Sequence, residues 1–150
     1  MDIENTVLVR IKKTSNLLDR FMAEVKSNIE RKVDEAKDIS PIQGRIIMFL
    51  DTESKKGEVF QKDIETHFDI RSSTAAINLR RMENSGLITR RVDADDVRKK
   101  TVSLTQKSKR SISQARTELE NAERRATKGL TRKELDLFFQ VLDKITENIS

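Results

Sequence analysis

The stretch RSSTAAINLRRMENSG, Arg71 to Gly86, places short hydroxyls at Ser72, Ser73 and Thr74 ahead of two alanines and then the paired guanidiniums of Arg80 and Arg81. Hydroxyls donate and accept hydrogen bonds at close range, and a guanidinium fork matches the geometry of phosphate or carboxylate oxygens. A second cationic run follows at Arg90, Arg91, Arg98, Lys99 and Lys100. Residues 71–110 hold eleven basic residues against four acids, a net +7, so the remainder carries −2 of the total +5. A concentrated positive field of this kind attracts polyanions and shortens their diffusional search. The alternative is a charged face that merely meets water, and position has to decide between them.

On a helix, at about 100° per residue, Ala75, Leu79 and Met82 share one side with Asn78 beside them, and that side packs inward. The opposite side carries Ser73, Ile77, Arg80 and Asn84, flanked by Ala76 and Arg81. A helix so slim in its first turns fits the major groove of DNA, where hydroxyls bond base edges and methyl groups meet thymine methyls. The arginines farther along would reach phosphates. The same residues also suit a third core helix, with Ile77 covered by a neighbour and the arginines solvated.

The elements that must position this helix are set by a few breakers. Ser40-Pro41-Ile42-Gln43 supplies an N-cap, a proline at the first helical position and a capping-box partner, so a helix begins there. Before it, Ile11, Leu18, Met22, Val25 and Ile29 recur at helical spacing, which predicts one long amphipathic helix over residues 5–34. After it, Ile46, Ile47, Phe49 and Leu50 form a buried helix that stops before Gly57, and Phe60 to Phe68 forms a short one with Ile64 and Phe68 inward. Asp69 and Ile70 turn the chain into the quoted segment, and Gly86 supplies a left-handed C-cap. Leu87–Val92 and Lys100–Leu104 then suit strands, joined by a polar tip around Asp93 to Lys99. Two strands and a charged loop directly after a helix pair make a winged helix-turn-helix, in a fold that is mainly α with a small β-wing. Such a wing lays Arg98 and Lys99 along the minor groove, and Asp96 is placed to hold Arg98 by a carboxylate bond or to serve as a simple turn residue.

The composition excludes much else. The chain is 37% charged and 35% hydrophobic, and no run approaches the roughly 18 apolar residues of a membrane span. Charges interrupt every apolar cluster of the first thirty residues, so no signal peptide is expected and the location implied is cytoplasmic. The absence of cysteine rules out disulfides and thiolate chemistry, and a single histidine, His67, leaves little for a transition metal. No Gly-rich phosphate loop, nucleophile with a histidine base or isolated carboxylate pair is present, so neither catalytic residues nor a cofactor are expected.

The run from Phe60 to Thr105 resembles the winged helix-turn-helix core of the MarR family of bacterial and archaeal transcriptional regulators. The spacing from Ile70 to Gly86 matches that family's recognition helix; Asp96, Arg98, Leu104 and Thr105 match its wing signature, an aspartate and an arginine ahead of a strand ending Leu-Thr. Many members carry arginine where this chain has Ile77, and an apolar residue where it has Asn78. The resemblance implies recognition-helix contacts to DNA from Arg71, Ser72, Ser73, Thr74, Ala76, Ile77, Arg80 and Arg81. It implies wing contacts from Arg90, Arg91, Asp96, Arg98, Lys99 and Lys100. It also divides the chain into an N-terminal dimerisation helix (1–34), the winged core (35–105) and C-terminal dimerisation helices (106–150). In the family, ligands often bind between the dimerisation helices and the core, which here puts Phe21, Met22, Phe49 or Phe60 near such a pocket or in ordinary core. The peroxide-sensing and zinc-sensing modes of the family do not fit a chain with no cysteine and one histidine.

The chain ends give an independent reason for a dimer. Ile112, Ala115, Leu119, Ala122 and Ala126 form a stripe, Gly129 breaks it, and Thr131 to Glu134 is a second capping box. The helix it opens carries Leu135, Phe138, Leu142, Ile145 and Ile149. A small winged core cannot cover all these stripes, so pairing with a second copy, or else an intramolecular bundle, must bury them. The expected function is a homodimeric, sequence-specific regulator on a pseudo-palindromic operator, a repressor released by a small-molecule effector. Two alternatives use the same fold: an architectural protein binding DNA without sequence preference, and a protein-binding winged-helix module. Discrimination between operator and random duplex separates the first, and salt-dependent affinity for duplex separates the second.

Overall fold

Four of the helices begin where the side chain of a serine or threonine satisfies an orphan N–H group. In the computed structural model, which describes residues 1–150 apart from the side chain of Glu35, α1 spans Val7–Lys32 with Thr6 as its cap. Short 3-10 turns at Ile3–Asn5 and Asp34–Asp38 flank it, so the single helix expected over residues 5–34 is trimmed at both ends by extended residues at Thr6 and Val33. The Ser40–Gln43 capping box and Pro41 open α2, Pro41–Glu53, as expected. Next come α3, Gln61–Phe68, and α4, Ser72–Asn84. Strands β1, Ile88–Val92, and β2, Lys100–Leu104, pair antiparallel with Arg90 opposite Val102. The chain closes with α5, Gln106–Ala126, and α6, Arg132–Ile149, the latter opened by the Thr131–Glu134 capping box.

The core lies where α2, α3, α4 and the two strands meet. Ile46, Leu50, Ile64, Leu79 and Met82 have no exposed surface, and Ile88 and Val102 close the cluster from the sheet. The α4 pattern is therefore satisfied as the sequence implied, with Ala75, Leu79 and Met82 buried. Each such side chain contributes roughly 1.5–3 kcal/mol by leaving water. The sheet has a further edge the sequence did not indicate: Val59 O accepts from Val102 N at 2.8 Å, and Phe60 bridges Thr101.

The ends are organised differently. The C-terminal half of α1 lies along α5, where Lys32 pairs with Glu118, Arg125 reaches Glu24 at 3.4 Å and the Arg125 guanidinium sits 4.9 Å above the Phe21 ring. The stripe continues beyond that contact without cover: Val25 is the one buried residue of α1, while Leu8, Ile11, Leu18 and Met22 are exposed. No residue of α6 is buried, although Leu137, Phe138, Phe139 and Val141 line it. No helix among the described residues is long and apolar enough to cross a membrane.

Candidate nucleic-acid interface

The turn between α3 and α4 forces the recognition segment outward. Asp69 adopts a left-handed conformation (φ 49°), and Ile70 N donates back to Glu65 O at 3.1 Å, ending α3 within one residue. Arg71 then starts α4 without any side-chain cap, so the first N–H groups of a 13-residue helix stay available to an external anion. Ser72, Ser73 and Thr74 are exposed beside them. One turn farther along, Ile77 is 50% exposed, which removes the alternative of a covered core helix. Ala76 is half-buried, and Arg80 and Arg81 stand in solvent. Asn78, expected beside the packed side, turns its amide back to Thr74 O at 3.0 Å and so is held within the helix.

The far end of α4 is anchored by Gly86 (φ 73°), and Leu87 N donates to Met82 O at 2.9 Å. Thr105 explains why a threonine follows the second strand. Its hydroxyl donates to Gly86 O at 2.7 Å and accepts from Ser108 N at 3.3 Å, so one oxygen caps α5 and ties it to the base of the wing. Buried Ser108 adds a bond to Leu87 O at 2.6 Å.

At the tip, two aspartates shape the loop. Asp93 accepts from Asp95 N at 2.8 Å and from Asp96 N at 3.2 Å, an Asx turn that closes the hairpin. Asp96 accepts from the backbone N of Arg98 at 3.0 Å and from its Nε at 3.2 Å. The carboxylate-bond reading of Asp96 thus holds, and those two bonds keep its carboxyl below the usual aspartate range. The Arg98 side chain nevertheless remains 88% exposed, aimed by Asp96 and not consumed by it.

Arg90, expected among the wing residues that contact DNA, is only 21% exposed and is gripped by Glu83, at 3.0 Å from Nη2 and 3.3 Å from Nε. The bonds from Arg90 also hold the Glu83 carboxyl below its ordinary range. Arg90 lies on the half-buried edge of β1 because strand alternation turns it toward the end of α4, while Arg91 points out. Among the described residues, Arg71, Arg80, Arg81, Arg91, Lys99 and Lys100 form no ion pair. Glu83, Asp93 and Ser108 escaped the sequence reading. Only Asp93 carried a local signal, an aspartate two residues ahead of the amide it caps.

A groove of about 510 Å³ is lined by Phe49, Val59, Asp63, Thr66 and His67, with Phe49 and His67 stacked at 4.3 Å. Of the four residues considered for a ligand pocket, Phe49 lines this groove, Phe21 lies beneath Arg125, Met22 is exposed and Phe60 is half-buried where it bridges Thr101. Among the described residues no cluster of three or more acidic or histidine side chains could hold a metal ion.

The model of the MarR family matches residues 37–99. In three dimensions the chain is similar to MepR of S. aureus in complex with DNA, at TM-score 0.80 and 21% identity, covering 99% of this chain and 100% of that one. It is similar to the transcription regulator MarR of Oenococcus oeni at TM-score 0.68 and 28% identity, covering 89% and 98%. The transcriptional repressor CouR bound to a 23-mer DNA duplex matches at TM-score 0.78 and 19% identity, covering 97% and 95%. No curated protein matches the chain in sequence.

Proposed function

We propose that this chain is a member of the MarR family and acts as a homodimeric, sequence-specific DNA-binding repressor of transcription, a reading supported by the family-model match over its winged core and by the likeness in fold. The observation that carries this reading is the uncovered face of α4: short hydroxyls and one exposed isoleucine at the leading end, next to helical N–H groups that no side chain caps. Inserted into the major groove, Ser72, Ser73, Thr74, Ala76 and Ile77 meet base edges and thymine methyls, while Arg71, Arg80 and Arg81 bind phosphates. Arg91, Arg98, Lys99 and Lys100 of the wing follow the adjacent backbone, with Arg98 directed to the minor groove by Asp96. Arg90 is left out of the direct contacts, because Glu83 already holds it.

The dimer is supported by α6 and the first half of α1. An isolated 18-residue helix with two adjacent exposed phenylalanines is only marginally stable in water, and a second copy covers it at no cost in new sequence. Closed twofold symmetry then gives two recognition helices and a pseudo-palindromic operator with half-sites about 10–10.5 base pairs apart. A dimer seated on a promoter blocks polymerase without further activity. An effector that alters the separation of the two recognition helices releases it, since the half-site spacing is then no longer met.

Selection of bound duplexes from a random pool, followed by titration of the selected site against random duplex, tests the reading. The expected result is a symmetric site preferred by roughly 10³-fold or more at physiological salt. Equal affinity for both duplexes would transfer the chain to the architectural class. Affinity that does not change with salt would remove DNA altogether, because each neutralised phosphate contributes about 0.9 to the slope of log K against log salt.

A further inference from the structure

The ion pair between Glu83 and Arg90 joins the last turn of α4 to the first half of the wing. Arg90 stands opposite Val102, whose N–H is already spent on Val59 O at 2.8 Å. That pair therefore exchanges no ladder hydrogen bonds, and the Arg90 N–H points to the open edge of β1. Glu83 Oε2 accepts it at 3.2 Å, while Oε1 takes the Nε and Nη2 of the same residue at 3.3 and 3.0 Å. One carboxylate thus receives three bonds from a residue seven positions later, across the Gly86 turn. It fixes both the position of the strand, through the backbone, and its rotation, through the guanidinium fork.

We infer that Glu83 is a positioning residue for DNA recognition, locking the wing to the recognition helix so that Arg98 and the face of α4 meet adjacent grooves in one fixed register. The inference rests on the DNA-binding reading above. Its physical basis is leverage. Four strand steps of 3.4 Å put the loop roughly 15 Å from the base of β1, so a 10° swing there displaces Arg98 by roughly 2–3 Å. A hydrogen bond to phosphate or a base edge does not survive that displacement.

The sign of the effect separates this role from simple electrostatics. Glu83 is an anion on a cationic surface, so its neutralisation should by charge alone strengthen binding to DNA. The clamp demands the opposite. With the full-length protein and its selected duplex, Glu83→Gln is expected to weaken affinity about tenfold, near the loss for Arg98→Ala, because a charge-assisted pair is broken. The double variant should lose little more than either single one, since both remove the same wing contact. Arg90→Lys keeps the net charge and the backbone bond but loses the fork, and should weaken binding several-fold with the same coupling to Arg98.

Binding by Glu83→Gln that equals or exceeds the native affinity overturns the inference, and so do losses from Glu83→Gln and Arg98→Ala that simply add. Should Glu83→Gln fail to fold, Arg90→Lys decides by the same two criteria. If the native protein shows no affinity for duplex DNA, the parent reading fails instead, so the two failures are distinguishable.

Discussion

The winged core and the chain ends use the same local devices and reach different outcomes. Both open their helices with capping boxes, at Ser40–Gln43 in the core and Thr131–Glu134 at the end. In the core, α2, α3, α4 and the sheet enclose Ile46, Leu50, Ile64, Leu79 and Met82 completely. In α6 the apolar stripe is as regular, yet no residue is buried. Helical propensity and capping therefore make an element, while only a facing surface makes it part of a core. The core supplies that surface from its own chain, and α6 does not receive one there.

The sharpest test of this contrast is Leu79→Ala, expected to destabilise the core by about 2–5 kcal/mol through lost burial and a residual cavity. Urea unfolding followed by circular dichroism measures it, and a loss below 1 kcal/mol would mean the core can collapse around the gap. Phe138→Ala should act on assembly, weakening dimerisation by up to roughly 100-fold as the burial of one large side chain is lost. Sedimentation across a concentration series would show it, and an unchanged association constant would place α6 outside the interface.

Smaller effects sharpen the comparison within the core. Arg98→Ala should weaken binding to all duplexes alike by about tenfold and lower the salt slope by about 0.9 for each protomer of the dimer, one phosphate's share apiece. Ile77→Ala and Ser73→Ala should instead shift preference at particular base pairs by about 1–3 kcal/mol, visible as altered positions in a selected-site profile. A uniform loss from these two variants would move base readout to other residues.

The smallest effect expected is with pH. The carboxyls of Glu83 and Asp96 are both held below their ordinary range by Arg90 and Arg98. A depressed carboxyl contributes stability that is fully present above its unfolded value and disappears as pH falls through its folded value. Wing order, followed by amide exchange, should therefore be constant from neutral pH to about 5 and decline only below the usual carboxylate range near 4. Loss of order already at pH 6 would show that groups other than these two carboxyls govern the wing.

Much of the fold was legible because its signals are local. The Ser40-Pro41 start, the buried face of α4, the glycine at 86 and the paired Val102 and Leu104 each follow from residues within one or two turns of each other. The candidate site was legible for the same reason where it lies on one helix, and for Asp96, two residues from the arginine it holds. The pairing of Arg90 with Glu83 was not legible because it is set by how a strand lies against a helix. Glu83 and Ser108 were missed because each acts through a bond to a distant backbone group, Arg90 N and Leu87 O.

The sequence by itself determined the helices, their caps, the wing, the absence of thiol chemistry and the concentration of positive charge, since these depend on neighbours along the chain. Only the tertiary structure decided which cations stand free and which are bound, that Ile77 lies uncovered, and that no residue of α6 becomes buried. Those outcomes depend on distances between elements that no periodicity encodes. A charge is available to a ligand only after the fold has chosen its nearest counter-charge.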